Sequence, residues 1–158
     1  MALRRRRRKW DAQPTEPAGV LLASDGREDF SSRAVAAAAA LGAEGVAVVT
    51  IAKVHGFSLG IPHPGLLPTK AEAMARSGWV ETAVDALLKR GVTADGQVAT
   101  TRHATKMLAK IAVARNVRHV VVDDAPSTGL RRMIEGDAGS ELKRRLRDHG
   151  VEVVIVPR

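Results

Sequence analysis

Short apolar runs alternate with longer amphipathic segments along most of the 158-residue chain. The runs at 19–24, 46–54, 118–123 and 151–156 are rich in Val, Leu and Ile. Their length and composition are typical of strands that are buried on both faces of a sheet. A weaker run at 92–100 is interrupted by Asp-Gly, which favours a strand at the edge of the sheet. The pattern therefore predicts five strands.

Helical periodicity fills the segments between these strands. Ser31 or Ser32 can cap a helix that ends near Leu41, and Thr69 opens a long helix that ends near Arg90. Two further helices are predicted at 104–115 and 140–149. The face of the long helix expected to be buried consists of Met74, Val80, Val84, Leu87 and Leu88. Strands separated by helices need crossover connections, so the order of elements predicts an α/β domain with a mainly parallel sheet covered by helices on both faces.

The N-terminal segment differs from the rest of the chain in charge and hydropathy. Arg4 to Lys9 supply six consecutive basic side chains. Because like charges repel and nothing apolar compensates for ordering, we expect a disordered basic tail at 1–17 and one folded domain at 18–158. The tail holds half of the formal net charge of +8. A nucleic acid or another anionic surface is a candidate partner for Arg4 to Lys9, and a solvated tail without a partner is the alternative.

Composition excludes several other classes of protein. The chain has no Cys, which removes disulfides, thiol catalysis and Cys-ligated zinc. Its five His are spread without the spacing of a zinc site, and neither a GxSxG nucleophile motif nor a P-loop is present. The sequence contains no run of 18 apolar residues, so no membrane-spanning helix is predicted. In a signal peptide an apolar stretch would follow the arginines, and none follows them here. We therefore expect a cytoplasmic protein, with no predicted catalytic residue or metal site, that is not primarily an enzyme.

Parallel sheets bind ligands where the carboxyl ends of their strands meet. The predicted strand ends bring Asp25, Asp123 and Asp124 to that edge. Clustered carboxylates are suited to Mg²⁺ or to acid–base chemistry. The alternative, which we favour, is that each Asp caps a turn or the helix that follows its strand.

Four stretches of the predicted domain at 18–158 are together typical of one protein family. They are GVLLASDG at 19–26, the Gly/Pro-rich segment at 55–68, GLRRMIEGDAGSELKRRL at 129–146 and the terminal VVIVPR. With them the chain resembles the universal stress protein family. The resemblance implies a three-layer sandwich whose five-stranded parallel sheet has the order 3-2-1-4-5, as in adenine nucleotide alpha hydrolase-like folds. It also implies a stress-response module that forms a homodimer through Val151 to Val156.

The resemblance also implies a ligand, because many members of the family bind ATP between strands one and four. ATP is therefore the candidate cofactor. Asp25 matches the aspartate that faces the base and ribose. The full set of implied binding residues is Ser24, Asp25, Gly26, Val54, Asp123, Gly129, Arg131, Arg132, Gly139 and Ser140.

The phosphate loop of the family, G-x2-G-x9-G-[ST], is matched poorly. In one register Asp123 and Pro126 stand where the two leading glycines belong, and proline lacks a backbone N–H. In another, Gly129 and Gly139–Ser140 satisfy the second half of the pattern. Two functions stay open. One is a module that senses an adenine nucleotide through the loop after strand four. The other is a nucleotide-free dimeric interaction protein whose basic tail contacts an anionic partner.

Overall fold

The computed structural model describes residues 17–54, 67–124 and 138–158. Within these ranges the elements are β1 (Val20–Ser24), α1 (Ser32–Leu41), β2 (Val46–Lys53), α2 (Lys70–Lys89), β3 (Ala94–Thr101), α3 (Ala104–Ala114), β4 (His119–Asp124), α4 (Ala138–Leu146) and β5 (Glu152–Pro157). The five strands pair in parallel in the order β3-β2-β1-β4-β5. The predicted α/β sandwich and its strand order are confirmed.

The central strands are the most apolar ones, as burial on both faces requires. Val20 of β1 lies between Val46 of β2 and His119 of β4 in the register of the sheet. Every residue of β2 except Lys53 is buried. Lys53 ends that strand at the carboxyl edge of the sheet, opposite Thr101 of β3.

Side chains alternate between two separate cores on the two faces of the sheet. Val20, Leu22 and Val121 face α1 and α2. Leu21 and Val120, in contrast, belong to the core beneath α3 and α4. Alternate residues of a strand therefore lie on opposite faces of the sheet. This alternation, the strand parity, determines which face a polar residue at the carboxyl edge occupies.

Both predicted helix caps on this part of the chain are present. The Ser31 side chain accepts a hydrogen bond from the Ala34 N–H at the start of α1. Thr69 and Glu72 form a reciprocal capping box at the start of α2. These caps satisfy backbone N–H groups that have no partner inside the helix.

The predicted buried face of α2 is wrong at two positions. Met74 is 65% exposed and Leu88 is 51% exposed, whereas Val80, Val84 and Leu87 are buried. All the buried residues of the helix lie in its second half, so its first turns make no contribution to the core. Leu88 follows Leu87 directly and is rotated by about 100° away from the buried face.

Among the described residues, no helix is both long and apolar enough to cross a membrane. The basic segment Arg4 to Lys9 lies outside the described residues, so the disordered tail at 1–17 and the domain boundary stay predictions.

Candidate functional site

The turn between β1 and α1 holds Asp25 in a fixed position. The Asp25 carboxylate accepts a hydrogen bond from the Arg27 N–H at 3.1 Å and lies 3.2 Å from the Arg27 guanidinium. The Ser24 hydroxyl accepts from the Gly26 N–H at 3.1 Å and donates to the Glu28 carbonyl at 2.9 Å. Ser24 thus closes the turn, and Asp25 is presented at its start.

Gly26 is required by two independent features of this turn. Its φ is +87°, and a Cβ added there would lie 1.8 Å from the Ile51 carbonyl oxygen of the neighbouring strand. Glycine alone tolerates both the backbone angle and the close approach. Arg76 of α2 donates to the Gly26 carbonyl at 2.7 Å and stacks over the Trp79 ring, so α2 holds the turn from outside.

A cleft of about 430 Å³ opens beside Asp25, on the face of the sheet covered by α3 and α4. It lies at the carboxyl ends of β1, β2 and β3. Of the residues that the structure describes, five cationic side chains line it: Arg27, Lys53, Arg102, Lys106 and Arg145. The described carboxylates in the lining are Asp25 and Glu141.

Each of the two carboxylates in the cleft is paired with an arginine. Asp25 is held by Arg27, and Glu141 accepts from Arg145 one helical turn later at 2.8 Å. Lys53 and Lys106 line the same cleft, and neither makes an ion pair with a described residue. The Lys, Arg, Asp and Glu side chains of the described lining therefore carry an excess of positive charge.

Asp123 lies on the other face of the sheet. Its carboxylate accepts hydrogen bonds from the Ser31 N–H, at 2.9 Å, and from the Ser31 hydroxyl. The Arg158 guanidinium lies 4.0 Å from the same carboxylate. Asp123 therefore supports the start of α1 and is separated from the cleft, where its charge would oppose a phosphate.

The predicted cluster of three aspartates does not form. Asp25 points into its own turn and Asp123 to α1, and no three metal-ligating side chains come together anywhere in the described ranges. Asp25 makes the turn contact that we favoured from the sequence. Asp123 instead holds the start of α1, a helix that does not follow its own strand.

The other predicted binding residues have varied positions. Val54 follows β2 and is half-buried, and its N–H donates to the Thr101 carbonyl at 3.1 Å. Gly139 is buried and Ser140 exposed in the first turn of α4. Gly129, Arg131 and Arg132 lie outside the described residues, as does most of the loop that determines the phosphate pattern. Among those of the ten implied binding residues that the structure describes, Asp25 is the one that lines the cleft.

Sequence reasoning missed Lys53, Arg102 and Lys106 as residues of the cleft. Lys53 directly precedes Val54, which was implied as a binding residue, and Arg102 directly follows β3. The signal that was available is strand parity, because Lys53 shares a face with Ile51 and Val49 and must point toward α3 and α4.

Comparisons with known proteins place this geometry in a wider context. No protein-family model matches the sequence, and no curated protein matches it significantly. Solved structures do match. A universal stress protein in complex with cAMP has a TM-score of 0.61 and 20% identity, over 89% of this chain and 98% of that one. A universal stress family protein from Burkholderia pseudomallei has a TM-score of 0.58 and 18% identity, over 88% and 95% of the two chains.

A third match carries a different nucleotide. The universal stress protein from Archaeoglobus fulgidus in complex with dAMP has a TM-score of 0.57 and 15% identity, over 87% of this chain and 95% of that one. At these identities the comparisons define the fold. The chain has the fold of universal stress proteins, which belongs to the adenine nucleotide alpha hydrolase-like class.

Proposed function

We propose that the protein is a universal stress protein-like regulatory module that binds an adenine nucleotide in the cleft beside Asp25. The observation that carries the proposal is the position and charge of the cleft. It lies at the carboxyl ends of three parallel strands, where sheets of this kind bind ligands, and its lining is cationic. Structures of the same fold hold cAMP and dAMP.

The geometry suits the two ends of a nucleotide. Asp25 offers a carboxylate, fixed by Arg27 and the turn, that can accept hydrogen bonds from ribose hydroxyls. The cationic side chains around it offer charge-assisted hydrogen bonds to phosphate oxygens. The negative charge of Asp123 would repel a phosphate in the cleft. Because Asp123 binds Ser31 on the other face of the sheet, that charge does not oppose binding.

The proposal is for binding and not for catalysis. The two carboxylates that line the cleft among the described residues are both paired with arginine, so neither is placed as a general base for a nucleophile. Regulation in response to stress would follow from occupancy of the cleft, and ATP is the first nucleotide to test.

The content of the purified protein tests the proposal without any variant. We expect that chain purified from a cell, denatured and filtered, releases an adenine nucleotide that mass spectrometry identifies. A chain that releases no nucleotide and also takes up none from millimolar ATP, ADP, AMP or cAMP would contradict it.

A second candidate function, dimerisation without a nucleotide, is favoured by the outer edge of β5. This strand pairs with β4 on one side, and no other strand of the described chain pairs with its other side. Since the Glu152 N–H donates to the Arg118 carbonyl, the alternate residues Val153 and Ile155 direct their N–H groups to the open side. An unpaired edge of this kind is a template for a second strand.

We therefore propose a homodimer that forms through β5, within the segment Val151 to Val156. Light scattering after size exclusion should give twice the mass of the chain, and Ile155→Pro, which removes an outward N–H, should give the mass of one chain. Val154→Pro is the matched control, because its N–H belongs to the β4 ladder and its loss should lower stability instead. A monomeric wild-type chain at tens of micromolar would contradict the dimer.

A further inference from the structure

The strongest unexplained feature of the cleft is the concentration of positive charge on its β2–β3 side. Lys53 ends β2, Arg102 follows β3, and Lys106 lies in the first turn of α3. Three different elements thus direct cationic side chains at one volume. The paired residues Glu141 and Arg145 belong to α4, on the opposite side of the cleft.

Two of these three cations, Lys53 and Lys106, have no carboxylate beside them among the described residues. Lys53 is half-buried at the end of a strand whose other residues are buried, and neither it nor Lys106 forms an ion pair with a described residue. Burial of a cation without a partner is unfavourable, and cations in the first turn of a helix oppose the helix dipole. The first turn of α3 contains no acidic residue, and His103 makes no capping hydrogen bond there.

We propose that Lys53, Arg102 and Lys106 form a phosphate-binding subsite on the β2–β3 side of the cleft. A phosphate ester or pyrophosphate carries about two or more negative charges and several acceptor oxygens, which matches three converging cations better than a single carboxylate would. The three side chains define the subsite, and the start of α3 only adds to the same potential. The proposal rests on the proposed nucleotide function for the source of that phosphate.

The subsite also predicts which ligands the cleft prefers. A ligand without phosphate, such as adenosine, makes no use of the three cations. Pyrophosphate would contact the three cations but has no nucleobase or ribose. ADP would contact both the three cations and the part of the cleft beside Asp25. Affinity for pyrophosphate and ADP should fall as salt is raised, because an open cleft is screened within about 10 Å at 0.1 M salt.

Calorimetric titration of the full chain with adenosine, pyrophosphate and ADP tests the subsite. We expect Lys53→Met combined with Lys106→Met to weaken pyrophosphate and ADP by about tenfold or more and to leave adenosine unchanged. The control is Lys70→Met combined with Lys89→Met, which removes the same charge from exposed positions on α2, on the other face of the sheet. Its affinities should stay close to those of the unchanged chain.

Lys106→Met alone keeps the test valid if the double variant folds poorly. Lys106 is exposed, and its replacement removes a cation from the start of α3, so stability should not fall while affinity for pyrophosphate does. A loss of affinity with intact thermal unfolding distinguishes the subsite from a merely structural role.

The other outcomes separate this inference from the proposed function. Equal ADP affinity in the chain with and without the two lysines would overturn the subsite and leave nucleotide binding standing. Pyrophosphate binding that needs the lysines, without any binding of ADP or adenosine, would support the subsite and overturn the nucleotide function. No binding of any of the three at millimolar concentration would overturn both.

Discussion

Asp123 at the end of β4 accepts two hydrogen bonds from Ser31, which lies 92 residues earlier at the start of α1. The Ser31 hydroxyl accepts in turn from the Ala34 N–H, so one chain of hydrogen bonds joins strand, cap and helix. This relationship assigns Asp123 a structural role. It also leaves Asp25, on the opposite side of the sheet edge, as the aspartate available to a ligand.

The hydrogen bonds between Asp123 and Ser31 should contribute measurably to the free energy of unfolding. Asp123→Ala removes the acceptor of both hydrogen bonds and should lower the free energy of unfolding by about 1–3 kcal/mol. Ser31→Ala removes a helix cap and should cost about 1 kcal/mol. Urea denaturation of the two single variants and the double variant should give a non-additive result, since both act on one hydrogen-bonded unit. Additive losses would show that the two residues are not coupled.

The affinity of the Asp123 variant for a nucleotide tests whether this residue also takes part in binding. Asp123→Ala should bind ATP as the unchanged chain does, because its carboxylate lies outside the cleft. Asp124→Ala, at the exposed neighbouring position, is the control for loss of charge at this edge. An Asp123 variant that stays fully stable but no longer binds nucleotide would contradict the structural role.

Gly26 should be far less tolerant of substitution than another glycine with a similar backbone angle. Gly91 has a φ of +77° and open space around an added Cβ, whereas the Cβ of Gly26→Ala would collide with the Ile51 carbonyl. Gly91→Ala should cost about 1 kcal/mol, from the backbone angle alone. Gly26→Ala should cost at least about 2 kcal/mol more, since the turn after β1 and the backbone of β2 must move apart. Equal midpoints of thermal unfolding for the two variants would refute the close approach.

The ion pair between Arg115 and Asp95 should behave asymmetrically. Arg115 is 2% exposed and donates to both carboxylate oxygens of Asp95, at 3.0 and 2.6 Å. The Asp95 side chain is 35% exposed, so it can regain water if its partner is lost. Asp95→Asn removes the bidentate counter-charge that Asp95 supplies to a buried cation, and it should lower the free energy of unfolding by about 3 kcal/mol, more than Arg115→Met. Denaturant midpoints in the reverse order would contradict this interpretation.

How far the sequence predicted the fold depends on how local each signal is. The β-branched run of β2 and the cap at Thr69 are local, and both appear as expected. The failure at Met74 has a tertiary cause, because the pattern of a helix does not reveal how much of its length meets a sheet. The Arg115–Asp95 pair likewise depends on how α3 ends beside β3, which no local pattern contains.

The site was predicted less completely than the fold. Asp25 was found because it follows a buried strand and matches a family motif, and it does line the cleft. Asp123 also follows a buried strand, but it shares a face with Val121 and therefore meets α1. Lys53 was missed for the same reason. Strand parity together with strand order decides which residues of an edge meet, and residue type alone does not.

The central claim, that the cleft beside Asp25 binds an adenine nucleotide, is tested most directly by calorimetric titration of the full chain with ATP. We predict saturable one-to-one binding that Asp25→Asn weakens by about tenfold, since asparagine retains the turn but loses the charge that faces the ribose. Asp85→Asn, an exposed position on α2, should bind ATP as the unchanged chain does. No heat of binding up to millimolar ATP, or equal affinity in the Asp25 variant, would contradict the claim.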